Sequence, residues 1–373
     1  MGWAEIKKAI NSNLSKSLDI LINEKIGNSN PGTADETNVM NYLKKVNQES
    51  AQIFSEGRTY VPIMADDSLR YNSASPSATN FVIGKVDGEH AFLGIGNYLY
   101  KYLRDDVRYL VSHIAASPYI SGQTDLTFDE DFVFLTTSST VVKLDKNTLV
   151  QAAVSSTYSN VRRVICDATH VYMATTTQLV KLNKSDLSQV AVFNLPGNVQ
   201  PPCLEQDETH VFVGFTQYLY KISKTMMSHT NSHNTGNSNY YFSALVRKDN
   251  VLYAAAYTNT NPVTHTVMTF DTSSLTSKVI TSLITSTAII TFLTIADDGL
   301  FLPVHDGTRY VFTQIHPTTG EVQAQHSYAE INFTGASGYA HQAVLINERL
   351  YVYFSQKFTY FDRAYKINGY RRV

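Results

Sequence analysis

The chain has 373 residues, a mass of 41.7 kDa and a net charge of −2, with 24 Tyr, 18 Phe and only 17% charged residues. This length can bury a large core, and the aromatic, Thr- and Ser-rich composition favours β-structure over a helical bundle or a disordered chain. The near-neutral charge provides no basic field, which excludes nucleic acid and anionic membranes as expected partners.

Residues 1–57 predict two short helices that form an attachment segment. In the first helix, over residues 3–26, apolar side chains recur at helical spacing. They are Trp3, Ile6, Ile10, Leu14, Leu18 and Leu21. The second helix begins at Thr33, which stands in capping-box spacing with Glu36. Two short helices with apolar stripes need a cover to be stable, so we interpret these six residues as a surface that docks onto another protein or onto a second copy.

Residues 58–80 predict one strand followed by a linker rich in Ser, Pro and Asn. The strand-like run covers residues 59–64. A lone strand before a series of sheets can join the sheet made by the C-terminus, which leaves no free sheet edge. We therefore expect this strand to close a ring.

Residues 81–373 repeat one pattern seven times, exemplified by HVYMATTTQLVKLNKSDLSQVAVF at 170–193. The first alternating apolar residue of each copy is Ala91, Val133, Val171, Val211, Leu252, Leu300 or Leu350. These positions are 38 to 50 residues apart, a spacing typical of four-stranded propeller blades. In four copies a lysine follows ten residues later: Lys101, Lys143, Lys181 and Lys221. The sequence predicts an all-β, seven-bladed β-propeller with an N-terminal α-helical anchor.

Acidic residues recur in the first turn of the copies. Examples are Asp87, Asp129, Asp167 and Asp207. A ring of carboxylates is compatible with calcium binding or glycoside hydrolysis. Because Asp side chains accept backbone hydrogen bonds in turns, recurrence in every copy favours a structural role.

Two further features have structural interpretations. Cys166 and Cys203 lie at unmatched offsets in adjacent copies, which favours two buried thiols over a disulfide. The apolar window at 279–296 has the length of a membrane span but alternates with Ser and Thr. It predicts two buried strands across a blade boundary, without membrane insertion.

No catalytic, metal or cofactor motif is present in the sequence. Phosphate loops, paired-cysteine zinc spacing, HExxH and nucleophile elbows are absent. Gly94 and Gly96 resemble the beginning of a dinucleotide fingerprint but fall inside a strand copy, which predicts a hairpin corner. We expect no enzyme activity, no metal and no cofactor.

The most irregular segment, SHTNSHNTGNSNYYFS at 228–243, predicts a loop that replaces an outer strand and its corner. Its candidate ligand-binding residues are His229, His233, Tyr240 and Tyr241. Tyr with Asn, Ser and Gly provides rigid contact area and adaptable hydrogen bonds, as in binding loops. The insertion YTNTNPVTH at 257–265 has similar chemistry. A solvated loop is the alternative interpretation of both.

The opening MGWAEIKKAINSNLSKSLDILINEK resembles the N-terminal segment of tail, fibre and baseplate proteins of phages and prophage-derived particles of Gram-positive bacteria. The resemblance covers about the first 25 residues. It implies a docking helix that ties a distal module to the tail. It carries over no functional residue, and the chain does not continue into the long trimeric coils of an ordinary fibre.

The first hypothesis is therefore a virion or tailocin protein, made in the host cytoplasm and located in the tail of the extracellular particle. Its N-terminal helices contact other tail or baseplate proteins, several copies assemble, with a trimer as one option, and the propeller binds host polysaccharide or surface protein with avidity. The first alternative is a purely structural tail or baseplate component. The second is a glycan-processing propeller enzyme, which requires facing carboxylates around the central channel.

Overall fold

A computed structural model describes residues 58–64, 81–103, 113–196, 203–258, 260, 263–285, 293–295, 299–305, 310–327, 340–346, 349–354 and 358–365. This part of the chain is all β and contains 28 strands in seven four-stranded sheets. The predicted helices and the attachment residues Trp3, Ile6, Ile10, Leu14, Leu18 and Leu21 lie outside the described residues. Among the described residues, no helix has the length and apolarity to span a membrane.

The sheets follow one another along the chain. The first strand, β1 (Arg58–Met64), belongs to sheet 7. Sheet 1 contains β2 (Phe81–Val86), β3 (His90–Ile95), β4 (Tyr98–Leu103) and β5 (Ala115–Ala116). Sheet 2 contains β6 (Gln123–Phe128), β7 (Phe132–Thr137), β8 (Val141–Asp145) and β9 (Gln151–Val154). Sheet 3 contains β10 (Val161–Cys166), β11 (His170–Thr175), β12 (Gln178–Asn183) and β13 (Gln189–Asn194).

The remaining sheets repeat this order. Sheet 4 contains β14 (Cys203–Gln206), β15 (His210–Phe215), β16 (Tyr218–Ser223) and β17 (His229–Asn234). Sheet 5 contains β18 (Tyr240–Lys248), β19 (Val251–Thr258), β20 (Val263–Asp271) and β21 (Ser277–Thr285). Sheet 6 contains β22 (Thr294–Ile295), β23 (Leu300–His305), β24 (Tyr310–Ile315) and β25 (Val322–Ser327). Sheet 7 contains β26 (Ala340–Ile346), β27 (Arg349–Phe354) and β28 (Phe358–Tyr365), with β1 beside β28.

The first strands of the sheets contact one another in a cycle. Each contacts the first strand of the next sheet, and β26 contacts β2, so the series returns to its start. The described domain is therefore propeller-like, and the all-β prediction is confirmed. All seven anchor residues of the sequence repeat fall on second strands.

The hydrophobic core lies between neighbouring sheets. The residue after each anchor is aromatic, and six of these side chains are buried. They are Phe92, Phe134, Tyr172, Phe212, Tyr253 and Phe301. Clusters of buried side chains join sheets 1 and 2, 2 and 3, 3 and 4, 4 and 5, and 5 and 6. Since each sheet is apolar on both faces of its second strand, it needs a neighbour on each side.

The recurring aspartates have the structural role that the sequence predicts. In the turn between first and second strands, Asp167 Oδ1 accepts hydrogen bonds from the backbone N–H groups of Thr169 (2.9 Å) and His170 (2.8 Å). Asp87, Asp129 and Asp207 accept the same pair of bonds in their own turns. The turns at 297–298 and 347–348 lie outside the described residues.

Three of these aspartates also form ion pairs with the next sheet. The partner is the first lysine of the turn between the third and fourth strands of that next sheet. This turn lies at the same end of the sheets as the aspartate turn. Lys146 Nζ lies 3.0 Å from Asp87, Lys184 Nζ 2.6 Å from Asp129 and Lys224 Nζ 3.3 Å from Asp167. The corresponding position in sheet 5 is Thr272. The ion pairs therefore link sheets 1 to 4.

The four lysines in register also bridge adjacent sheets. They lie on third strands and are at least nine-tenths buried. Lys143 Nζ donates to the backbone carbonyls of Lys184 and Ser185 (3.0 Å each), and Lys181 Nζ donates to that of Lys224 (2.8 Å). Lys221 and Lys101 reach the next sheet at Ser273 O (3.2 Å) and Asn147 Oδ1 (3.4 Å). The constant spacing of these four lysines from their anchor residues thus reflects a contact between adjacent sheets.

Replacing Lys181 by alanine is expected to lower the free energy of unfolding by about 1–3 kcal/mol. The change leaves the carbonyl oxygen of Lys224 without its buried donor and removes the packed lysine stem. Urea unfolding measures the loss, with Lys278→Ala on the exposed outer strand β21 as the control. Equal stabilities of the two variants would contradict the role of the bridge.

Three smaller predictions have mixed outcomes. Cys166 and Cys203 are free, Cys203 is buried and Cys166 is partly exposed. Gly96 has a φ of 60° in the hairpin between β3 and β4, as a strand corner requires. The apolar window does span a boundary between sheets, at β21 and β22, but β21 is an outer strand on which Val279 is 58% exposed.

Candidate functional site

Sheet 5 extends further than the other sheets at the end where second and third strands turn. Its second and third strands contain 8 and 9 residues, whereas β11 and β12 of sheet 3 contain 6 each. The extra residues belong to the insertion at 257–265. This hairpin departs from the regular pattern of the sheets. Together with the start of β18 and the residues just before it, the hairpin forms the candidate site. We call this site the sheet 5 extension (residues 237–243, 256–258 and 264–266).

A row of aromatic side chains crosses the sheet 5 extension. Tyr241 on β18 pairs with Tyr257 on β19, and their rings stack with centroids 5.4 Å apart and an interplanar angle of 24°. Tyr257 pairs in turn with His265 on β20, with ring centroids 6.0 Å apart. Both tyrosines are partly exposed, and His265 is buried. The row therefore presents two ordered aromatic rings to solvent.

The electrostatics of this row favour neutral aromatic contacts. Burial raises the pKa of Tyr257, and the neighbouring Tyr241 adds to the shift. The tyrosine hydroxyl therefore stays protonated at neutral pH and can both donate and accept a hydrogen bond. Stacked rings with polar hydroxyl tips suit a ligand that has apolar faces and hydroxyl groups, such as a carbohydrate.

Tyr240 lies on the opposite face of the same strand. Its hydroxyl lies 3.2 Å from Thr266 Oγ1, and its ring packs against the core between sheets 4 and 5. Neighbouring residues of a strand point to opposite faces, which explains why Tyr240 and Tyr241 separate. Of the two tyrosines predicted for binding, Tyr241 belongs to the partly exposed aromatic row and Tyr240 supports the strand.

The segment before these tyrosines is a strand and not the predicted loop. Residues 229–234 form β17, the outer strand of sheet 4, which pairs with β16. The prediction was wrong because His, Asn and Ser rarely signal a strand, whereas an outer strand with an exposed face tolerates them. The true connection is 235–239, where Asn234 and Asn237 side chains accept hydrogen bonds from the Gly236 and Asn239 N–H groups (2.9 Å each).

His229 and His233 do not converge on one site. The His229 ring lies 4.9 Å from that of Tyr220, and the His233 ring lies 5.0 Å from that of Phe270 in sheet 5. The register of β16 and β17 shifts between Lys221 and Ile222, which places the two histidines on opposite faces. Burial lowers the pKa of His233, consistent with a packing role. Neither histidine joins the aromatic row.

The insertion at 257–265 is recognisable in the sequence, but the pairing of Tyr257 and His265 with their neighbours is not. The available signal was the longer repeat step after Leu252, which indicates extra residues in that copy. The pairing of Tyr241 with Tyr257 depends on strand register, which residue spacing alone does not specify.

With its cyclic arrangement of four-stranded sheets, the described domain belongs to the propeller-like all-β proteins. BamB from Moraxella catarrhalis, a β-propeller, is similar with a TM-score of 0.53 and 14% identity, over 82% of this chain and 100% of that chain. In total 1254 solved chains match, so the fold is a common one and does not specify a function. No protein-family model and no curated protein sequence matches the chain.

Proposed function

We propose that the chain is a tail or baseplate component of a phage or tailocin that binds the host cell surface. The resemblance of the N-terminal segment MGWAEIKKAINSNLSKSLDILINEK to tail proteins supports the attachment role of residues 1–57. In the particle, several copies face the bacterium, so that weak single contacts add up through avidity. The protein then resides in the virion tail and contacts other tail or baseplate proteins through Trp3, Ile6, Ile10, Leu14, Leu18 and Leu21.

In this proposal the displayed body is a closed, seven-bladed β-propeller. The support is the cycle of contacts among the first strands and the position of β1 beside β28, the third strand of sheet 7. A sheet that contains both ends of the domain joins its N- and C-terminal parts without a free strand edge. Such a rigid disc is suited to presenting a binding surface.

One observation carries the recognition role, namely the Tyr241–Tyr257 stack on the sheet 5 extension. The sheet 5 extension departs from the repeated pattern, and the ring pair is partly exposed and pre-ordered by strand pairing. Aromatic rings ordered before binding lose little conformational entropy when a ligand stacks on them. We assign host polysaccharide as the ligand class, because polysaccharides combine apolar ring faces with many hydroxyl groups.

The test is binding of the fluorescently labelled full-length protein to candidate host cells. Replacing Tyr241 and Tyr257 together by alanine is expected to reduce binding at least about tenfold, because the stacking surface is lost. The control is Tyr119→Ala, which removes a tyrosine that is 63% exposed in the connection between β5 and β6. Equal binding by both variants would contradict this site, and absence of binding by the wild type would favour a structural component of the tail.

The attachment role has a separate test in assembled particles. Deleting residues 1–57 is expected to abolish incorporation while the remaining chain, which contains every described strand, still folds and binds cells. Incorporation of the truncated chain, or its failure to fold, would count against the proposal. The glycan-processing alternative requires facing carboxylates. The carboxylates on the described first strands are Asp125 and Glu205, in sheets 2 and 4, and each accepts a backbone hydrogen bond.

A further inference from the structure

The first strands, which surround the centre of the described domain, are positively charged. Among their described residues are five cationic and two anionic side chains. The cationic residues are Lys85, Arg162, Arg163, Arg247 and Lys248, and the anionic residues are Asp125 and Glu205. The whole chain has a net charge of −2. The described residues of the first strands therefore carry a net charge opposite in sign to that of the whole chain.

The two carboxylates do not neutralise these cations by direct contact. Asp125 Oδ2 accepts a hydrogen bond from the backbone N–H of Val164 (3.0 Å), and Glu205 Oε1 accepts one from that of Gln206 (2.9 Å). Neither forms an ion pair with a described lysine or arginine. Burial raises the pKa of Glu205, against the opposing charges of Arg247 and Lys85. On the described first strands the cations therefore outnumber the anions, without direct ion pairs between them.

Arg162 and Arg163, like Lys85, lack an ion-pair partner among the described residues. Arg162 Nε is buried and has no hydrogen-bond partner. Arg247, in contrast, donates from Nε to Gln206 O (2.8 Å) and from Nη1 to Asp249 O (2.6 Å). Arg162 as a whole is partly exposed, but its buried Nε lacks a hydrogen bond, a cost that a bound anion can offset.

The backbone places Arg162 at a repeated structural feature. The first strands of sheets 1, 2, 3, 5 and 7 shift register at the same point, at Val82, Thr124, Arg162, Ser243 and His341. The Thr124 hydroxyl donates to Thr136 Oγ1 (2.9 Å) and the Ser243 hydroxyl to Ala255 O (3.3 Å), so both close onto their own sheets. The Nε of Arg162 makes no such bond. Bulges re-aim side chains and are common beside functional sites.

We propose that the space enclosed by the first strands binds an oxyanion, a phosphate or carboxylate group, through Arg162 and Arg163, with Lys85 and Arg247 adding to the positive field. Guanidinium groups match both oxyanions in geometry and hold them by paired, charge-assisted hydrogen bonds. The site is separate from the sheet 5 extension and does not depend on the proposed tail function. It would accept an anionic group of a larger ligand or a free anion.

The first test measures anion binding by the full-length protein. Inorganic phosphate and acetate are titrated at constant ionic strength by calorimetry, one arm for each oxyanion. Saturable binding of either anion is expected, weakened at least about tenfold in the double variant Arg162→Gln, Arg163→Gln and unchanged in Lys278→Gln on the exposed outer strand. No saturable binding of either anion, or equal binding by the double variant, would overturn the proposal.

If the double variant does not fold, the Tm of the single variant Arg162→Met provides a second test of the proposal. Without added anion and at low ionic strength, Arg162→Met is expected to raise the Tm, because it removes a buried Nε–H group that lacks a hydrogen-bond partner. Added phosphate should raise the Tm of the wild type more than that of Arg162→Met. A lower Tm of Arg162→Met under both conditions, with an unchanged phosphate effect, would show a structural role for Arg162 and overturn the proposal.

Discussion

Replacing Phe212 by alanine is expected to lower the free energy of unfolding by about 3–5 kcal/mol. Phe212 is completely buried on the second strand of sheet 4, in the cluster that joins sheet 4 to sheet 5. The substitution removes the transfer free energy of the ring and leaves a cavity that rigid strands cannot collapse to fill. Urea unfolding followed by circular dichroism measures the change in midpoint and in slope.

Two further variants calibrate this result. Phe212→Leu retains much of the volume and should cost about 1 kcal/mol, whereas Met226→Ala, at a position that is 74% exposed, should change stability by less than about 0.5 kcal/mol. A loss below about 1 kcal/mol for Phe212→Ala would mean that sheets 4 and 5 do not share a packed core.

The second large effect is expected at Asp167, where a turn and an ion pair between sheets meet. Burial alone would raise the pKa of Asp167, but N–H donors from Thr169 and His170, the Lys224 ammonium group and the Tyr172 hydroxyl lower that pKa to about 2. Asp167→Ala removes all these contacts and leaves Lys224 without its carboxylate, so we expect a loss of about 2–3 kcal/mol. Asp167→Asn keeps an acceptor for the turn and should lose about 1 kcal/mol.

The pH dependence of stability distinguishes the contribution of the Asp167 charge from that of the hydrogen bonds in the turn. Because the pKa of Asp167 is lower in the folded than in the unfolded protein, its stabilising contribution is complete above pH ~4 and is lost as the pH falls towards ~2. The carboxylate is 23% exposed, so solvent screening limits this contribution to about 1 kcal/mol. The difference between wild type and Asp167→Asn should therefore shrink from pH 6 to pH 3.

The control for this series is Glu208→Gln in the exposed part of the next turn. Its stability should follow that of the wild type at every pH. A constant difference between wild type and Asp167→Asn from pH 6 to pH 3 would show that the ion pair with Lys224 contributes nothing.

The pKa values of Asp87, Asp129 and Asp207 are also lowered, since backbone N–H donors and nearby cations outweigh the effect of burial. The whole domain should accordingly lose stability in acid.

Part of the candidate site was predictable from residue types. Tyr241 and the 257–265 insertion were recognised because they interrupt a regular repeat. The interpretation of 228–243 as a loop was wrong, because the polar composition of β17 reflects its outer, solvated position. The separation of His229 from His233 depends on a register shift, a feature that composition does not indicate.

The sequence by itself determined the local features of this protein. The repeat spacing, the strand alternation and the aspartate turns depend on contacts within a few residues, so they recur along the chain and are visible in the sequence. The lysine register recurs in four copies. Only the tertiary structure decided which residues meet across sheets. Lys181 donates to Lys224 O of the next sheet, and Lys224 forms an ion pair with Asp167 of the preceding sheet. These contacts join residues far apart in the chain, and they arise from the cyclic packing of sheets that are apolar on both faces.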